Sequence, residues 1–400
     1  MPSSDRTTTP STPDSLRRYF RSAGLTALAV LVVTVTINYL VDPYLIHQWD
    51  TGHVQRLRSA HQKIMPWGKT YAAYRYRPEV VYLGSSRTEI GLPADVRIFA
   101  GKRVFNLAIQ GSTFGDAVRM LRHTSVFQRP DIIVWGIDYG DQFREENGNT
   151  DLIPALVAQD RSYPFWRTLL NLKRSAAMDM LWDSLKTLSG SAEQECRSLL
   201  ATYGLRSSQC MESVMREKGG TAAAFAKVMG KNKPLADPPD VQATLGLLDQ
   251  VTDEYCREGT AFRLYLQPVH ALAELSYWGG KWDALDDWKR SLTAVVDERR
   301  RQGCDIRLVD FSGFNRITSE DIPQETGRDT MQYYWEHSHY RSEVGEMILD
   351  HLFRTDTPVD ADDFGVELTG TTIERHLSNF RARRLEYIRH HPRETANMAR

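Results

Sequence analysis

The chain has 400 residues, 41% of them hydrophobic, with 50 Lys and Arg against 51 Asp and Glu and a formal net charge of −1. That balance, with no broad basic excess and no recognisable binding motif, argues against a nucleic-acid binder, and the length suits one large domain with an insertion or two modest ones. The cysteines Cys196, Cys210, Cys256 and Cys304 contain no Cys-x-x-Cys pair, which argues against zinc and thioredoxin-type chemistry.

Residues 1–21, rich in Ser, Thr and Pro at their start, read as a short disordered cytoplasmic tail. From Ser22 to Val41 no charged residue occurs. A helix over that stretch is roughly 30 Å long, the thickness of a bilayer's hydrocarbon core, so 22–41 is expected to be a transmembrane helix. Arg6, Arg17, Arg18 and Arg21 precede it, while Asp42 and Pro43 follow. The positive-inside rule then keeps the N-terminus in the cytoplasm and exports everything after about residue 42. A cleaved signal peptide is the competing reading, but INYLVDPYLIH offers no small-x-small cleavage site, so a retained anchor is expected. Disulfides are permitted on the exported side. Cys196 with Cys210 would be a local staple and Cys256 with Cys304 a bridge between core segments, free buried thiols being the alternative.

Beyond the anchor, VVYL at 80–83, RVFNLAI at 103–109, DIIVWGI at 131–137, AFRLYLQ at 261–267 and DIRLVDF at 305–311 have the apolar or alternating character of strands. Helical patterns lie between them: FGDAVRMLRHTSVF, DVQATLGLLDQVTDEYCREG and WDALDDWKRSLTAVVDERRRQG. This alternation predicts an α/β core, a five-stranded doubly wound parallel sheet. Residues 42–149 supply its first part and 240–355 its second. Residues 150–239 carry no strand pattern and read as a helical insertion, either decorative or shaping access to a site. Residues 356–400 form a C-terminal helical extension. Its IERHLSNFRARRLEYIRHHP is a basic amphipathic helix that either packs on the domain or meets anionic lipid.

The chemistry-bearing stretch is VVYLGSSRTEIGL, residues 80–92, where a strand runs into Gly-Ser-Ser at the carboxyl edge of the sheet, the edge at which open α/β sheets bind ligands. The plainer reading is that Ser85 or Ser86 caps the next helix. A serine nucleophile needs a base, and the base needs an orienting carboxylate. In YYWEHSHYRSEVGEMILDHLF, residues 333–353, Glu336 and His339 stand three apart ahead of a helical run, with His337 as a confounder.

Together VVYLGSSR, NLAIQGS, WGIDYG and WEHSHY resemble the SGNH (GDSL-like) hydrolase superfamily. The likeness is closest to its membrane-anchored extracytoplasmic members of the polysaccharide O-acetylation and teichoic-acid D-alanylation type, and it covers about 80–145 and 260–355. It implies a flavodoxin-like core with Ser86 as nucleophile, Ser85 standing where the family usually has aspartate. It also implies that Glu336 and His339 fill the Asp-x-x-His block, with glutamate for aspartate. The oxyanion hole would draw on the Ser86 amide, Gly111 and the third block, where Asp138 replaces the family's asparagine. An ionised aspartate cannot donate, so either Asp138 is protonated or the Ser86 and Gly111 amides make the hole with help from Arg87. Arg87 is a candidate substrate contact, or else forms a surface ion pair with Glu89 or another carboxylate. His270, just past the fourth strand, is another candidate contact, or else satisfies a loop carbonyl. Asp310, at the end of the fifth, is a substitute orienter of a histidine or a turn former.

The function so implied is acyl-ester chemistry on a cell-envelope polysaccharide at the bacterial inner membrane, with the main domain periplasmic. The enzyme would be an esterase or an O-acyltransferase, the latter served by a multispanning acyl-exporting partner. No cofactor is expected. No metal is expected either, because His337 and His339 lack a third ligand. The alternative is an inactive SGNH-like carbohydrate-binding or scaffolding subunit of an envelope assembly complex.

Overall fold

The computed structural model describes residues 13–47, 61–139, 152–189, 203–206, 208–234, 240–323, 331–353, 364–396 and 398. The expected disordered start of the tail, through residue 12, lies outside them. Helix α1 (Pro13–Val41) begins earlier than the uncharged run predicts. Proline suits a first helical turn because its missing N–H would have no partner there, and Arg17, Arg18 and Arg21 of the expected tail lie within the helix. The stretch Asp14–Val41 is long and apolar enough to cross a membrane. Its side chains are exposed from Asp14 through Val33, whereas Thr34, Asn38 and Val41 form a buried stripe. At its end Asp42 takes a positive φ of 47°. Its carboxylate accepts from the amides of Ile46 and His47, both at 2.9 Å.

Helix α2 (His61–Tyr76) leads into the sheet. Strands β1 (Val80–Leu83), β2 (Val104–Asn106), β3 (Ile132–Ile137), β4 (Ala261–Leu266) and β5 (Ile306–Asp310) are the five runs read from the sequence, and their pairings are all parallel. Register is set by buried apolar rows, with Val80 opposite both Val104 and Ile132. A separate hairpin of β6 (Tyr334–Glu336) and β7 (His339–Tyr340) stands off this sheet. The expectation of a purely parallel five-stranded sheet is corrected by β8 (Val366–Glu367), which joins β5 antiparallel. The sheet is therefore mixed and six-stranded, in the order β2-β1-β3-β4-β5-β8. The extension after residue 356 is correspondingly not wholly helical.

The helices after α2 are α3 (Ser86–Gly91), α4 (Phe114–Ser125), α5 (Tyr163–Ser175), α6 (Met178–Ser189), α7 (Ser208–Glu217) and α8 (Thr221–Phe225). They are followed by α9 (Val241–Cys256), α10 (Ala271–Trp278), α11 (Trp282–Arg301), α12 (Ser342–Phe353) and α13 (Ile373–His390). Helix α4 opens with a capping box, in which Thr113 N–H donates to Asp116 (2.9 Å) and Asp116 N–H to Thr113 Oγ1 (3.3 Å). Helices α5 and α6 pack on the last turns of α1. Asn38 Nδ2 donates to the carbonyls of Ser175 and Ala177, and Ser184 donates to Asn38 Oδ1 at 2.8 Å. Tyr44, buried past the end of α1, donates to Asp183 at 2.6 Å. Helix α13 packs on α11, burying Leu377 and Phe380, with Arg381 on Asp286 and Arg290 on Glu374, so this face of the basic helix meets the domain.

A disulfide joins Cys256, at the end of α9, to Cys304, ahead of β5. Cys210 is also disulfide-bonded, and Cys196 lies outside the described residues.

Two buried histidines make the fold acid-sensitive. His123 Nε2 donates to Thr70 O (2.7 Å) while its Nδ1 accepts from Ala158 N–H (2.8 Å). His270 Nε2 donates to Glu320 O (2.8 Å) while its Nδ1 accepts from Leu272 N–H (3.1 Å). A second proton on either ring would face an N–H. Burial accordingly lowers each from 6.5 to about 4. Between those values the unfolded chain binds the extra protons, so stability is full above pH 6.5 and falls as pH drops towards 4, by on the order of 3 kcal/mol per ring. Thermal unfolding of the detergent-solubilised chain should show this loss between pH 7 and 4.5, and His123→Gln should flatten the slope.

Candidate active site

The site is built at the carboxyl ends of β1 and β3. Gly84 ends β1 with a φ of 146°, and a Cβ there would meet Thr88 Oγ1 at 2.2 Å, so only glycine fits this turn. Ser85 occupies the N-cap position of α3 but makes no capping bond; its hydroxyl donates to Asp138 Oδ2 at 3.2 Å. Ser86 opens the helix, with Oγ 2.8 Å from His339 Nε2. The capping reading of the serine pair therefore fails at the side chains.

His339 reaches this point on the β6–β7 hairpin, where Glu336 and His339 are cross-strand partners. His339 Nδ1 donates to Glu336 Oε1, which also accepts from Ser338 N–H at 3.2 Å. His337 Nε2 approaches the other carboxylate oxygen at 3.3 Å, and its Nδ1 lies 3.1 Å from the Tyr277 hydroxyl. Burial alone would raise the Glu336 carboxyl; the charge and hydrogen bond of His339, with the His337 charge, overcome it and hold Glu336 at about 2. Glu336 is thus a carboxylate at neutral pH. Burial moves His337 the other way, below its ordinary value.

Gly111 lies beside the Ser86 turn, with a φ of 68° and open space around its Cα. Gly84 O holds this loop, accepting from Ser112 Oγ (2.8 Å) and Ile109 N–H (3.4 Å). Asp138 is engaged by two neighbours. Its Oδ1 is 2.6 Å from Arg87 and its Oδ2 accepts from Ser85, so both oxygens work as acceptors. Burial raises its carboxyl, while Arg87 opposes the rise.

Arg87 does not pair with Glu89. Besides Asp138 it donates to Ser338 O (3.2 Å) and Ser338 Oγ, which ties α3 to the hairpin that carries His339. Glu89 is instead wholly buried between Lys69 (3.1 Å) and Arg206 (2.8 Å). Lys69 also donates to Ala108 O, and Arg206 to Gln110 at 2.8 Å, so the network braces the Gly111 loop. His270 is wholly buried and caps α10, which removes it as a substrate contact. Asp310 does hold a histidine, but it is His376 (2.8 Å), with Lys289 at 2.7 Å; it does not orient His339.

Several supporting residues escape a motif search. Thr88, Tyr265, Gln267 and Tyr340 share buried hydrogen bonds of 2.9 to 3.1 Å that lock α3, β4 and β7 together directly behind the serine and histidine. From the insertion, Met211, Met215 and Ala224 pack on Ile90 and Trp335, and Thr221 donates to Trp335 O at 3.3 Å. The insertion thus buttresses the hairpin. A small cavity of about 40 Å³ lies beside Arg87 and Asp138, lined by Tyr139, Tyr277, Trp278, Trp288 and Glu274 among others. Burial pushes Glu274 up to about 7 against the pull of Lys289. Among the described residues no group of three or more His, Cys, Asp or Glu side chains is disposed to hold a metal ion.

A hydroxyl bonded to an imidazole whose far nitrogen is held by a carboxylate is the arrangement that activates serine for acyl transfer. No protein-family model matches the chain, and no curated protein matches it.

Proposed function

We propose that this chain is a membrane-anchored, extracytoplasmic serine enzyme that moves or removes acyl esters on a cell-envelope polysaccharide, most simply an O-acyltransferase or esterase. The observation that carries this reading is the 2.8 Å approach of Ser86 Oγ to His339 Nε2, with Glu336 behind the imidazole. Ser86 Oγ attacks the ester carbonyl as its proton passes to His339 Nε2. The oxyanion takes main-chain N–H donors at Ser86 and Gly111. His339 returns the proton to the departing oxygen, leaving an acyl-Ser86 ester. A sugar hydroxyl or water then attacks that ester, with His339 again as base, and the second carbonyl collapse frees Ser86.

Further support comes from the surroundings. The Cys256–Cys304 disulfide suits an oxidising compartment, and α1 supplies a membrane anchor. The resemblance of the four sequence blocks to SGNH enzymes of envelope O-acetylation favours the transferase, with a multispanning membrane partner delivering the acyl group.

Labelling the full chain in detergent with a fluorophosphonate tests the reading. Wild type should be labelled at Ser86, and Ser86→Ala and His339→Ala should both lose the label. A folded wild-type chain that stays unlabelled would overturn the catalytic reading and leave a binding site.

A further inference from the structure

We infer that α5 and α6 form a hairpin embedded in the same bilayer that α1 crosses, in the leaflet on the domain's side. Both helices are inside-out by the standard of a water-exposed helix, which turns its polar face outward. Helix α5 buries Tyr163, Arg167, Asn171 and Ser175, and exposes Phe165 (62%), Trp166 (62%), Leu169 and Leu172. Helix α6 buries Asp183, Ser184 and Thr187, and exposes Met178 (63%), Trp182 (61%), Leu185 and Leu188. Each of these buried polar groups has a partner inside the protein: Tyr163 donates to Leu156 O, Arg167 to Thr70, Tyr163 and Trp67 O, Asn171 to Ile46 O, Ser175 to Asn171 O, Ser184 to Asn38 and Thr187 to Asp183 O, while Asp183 accepts from Tyr44.

The occupant of the outward face follows from what these helices pack on. Their polar sides meet the stripe Thr34, Asn38 and Val41 of α1, which belongs to the uncharged run expected to lie in hydrocarbon. Thr34 to Val41 spans about 10 Å along a helix, so the exposed faces of α5 and α6 begin at membrane depth rather than above it. Polar side chains at that depth belong in the interior of a helix bundle, which is where Asn38 and Ser184 are. Thr36 on α1 and Thr168 on α5, both exposed, bond back to carbonyls of their own helices, at 2.7 and 2.8 Å. The exposed charged side chains of the two helices are Asp179, which is paired with Arg174 at 2.6 Å, and Lys173 and Lys186, on stems long enough to bring an ammonium to headgroup phosphates. Trp166 and Trp182 are residues favoured at such a boundary.

The inference rests on the membrane reading of α1, and the test separates the two. A photoreactive phenylalanine analogue replaces Trp166, Trp182, Leu31 or Leu385, one at a time, in the full chain in native membranes. Each of these side chains is exposed, so packing is untouched. Leu31, on α1, reports lipid contact by the anchor; Leu385, on α13, reports the water-facing background. Positions 166 and 182 should yield phospholipid adducts at the level of position 31, with none at 385. Yields matching position 385, or adducts to a protein in place of lipid, would overturn the hairpin's placement while leaving the anchor standing. Loss of lipid adducts at position 31 as well would overturn both.

Discussion

Ser86→Ala should leave the chain folded and reduce acyl transfer by about 10⁶-fold, the scale at which serine triads fail when the nucleophile is removed. The fold survives because Ser86 Oγ bonds to His339 and to nothing that caps α3, and alanine is at home in a helix. Glu336→Gln should lower turnover by about 10⁴-fold, because the amide no longer fixes the imidazole tautomer or stabilises the imidazolium. The carboxylate also meets His337, so His337→Asn supplies the control. A loss with His337→Asn as large as that with Glu336→Gln would make His337 the working partner and sink the assignment of His339. Single-turnover assays on an activated ester, read with circular dichroism, distinguish these outcomes from unfolding.

Glu89→Ala should destabilise the chain by about 3 to 5 kcal/mol, the range for breaking a buried ion pair from one side. The Lys69 ammonium and the Glu89 carboxylate are wholly buried, and Arg206 is nearly so. Burial already pulls Lys69 below its ordinary value, with Glu89 the main force opposing that fall. Without Glu89 the ammonium keeps only the Ala108 carbonyl and loses its proton or its place. Adding Lys69→Met to Glu89→Ala should therefore recover part of the loss, which urea titration of the single and double variants would show. A double variant less stable than Glu89→Ala by the full effect of Lys69→Met would mean that the two groups do not act as a pair. Both variants should also slow catalysis, because Lys69 and Arg206 hold residues 108 and 110 beside the Ser86 turn.

Strands β1 to β5 were legible because their buried rows read as apolar or alternating runs between turn residues, with only Arg263 and Arg307 breaking the last two. The pair Ser86 and His339 was legible because spacing and element order survive in one dimension, and Glu336 came with His339 on one short hairpin. What stayed hidden has a common cause, which is that a partner cannot be read from the residue that needs it. Strand β8 has two residues and owes its existence to β5. The acceptor role of Asp138 is set by Arg87 and Ser85, more than fifty positions away. Arg206 looks like one more surface arginine until Glu89 meets it. The outward turn of α5 and α6 is hidden for a related reason: periodicity shows that a helix has two faces, and says nothing of which one meets water.

The junction after α1 has a mechanical consequence. Tyr44 and Ile46 are buried against Met180, Asp42 pins the two amides that follow, and Arg167 of α5 is bonded through Thr70 to the helix that enters the sheet. Among the described residues, the end of α1 is thus tied to the domain by side-chain contacts in addition to the chain itself. On the proposed reading, Ser86 would be held at a set height above the lipid, and a long, flexible glycan would supply the motion that brings the two together.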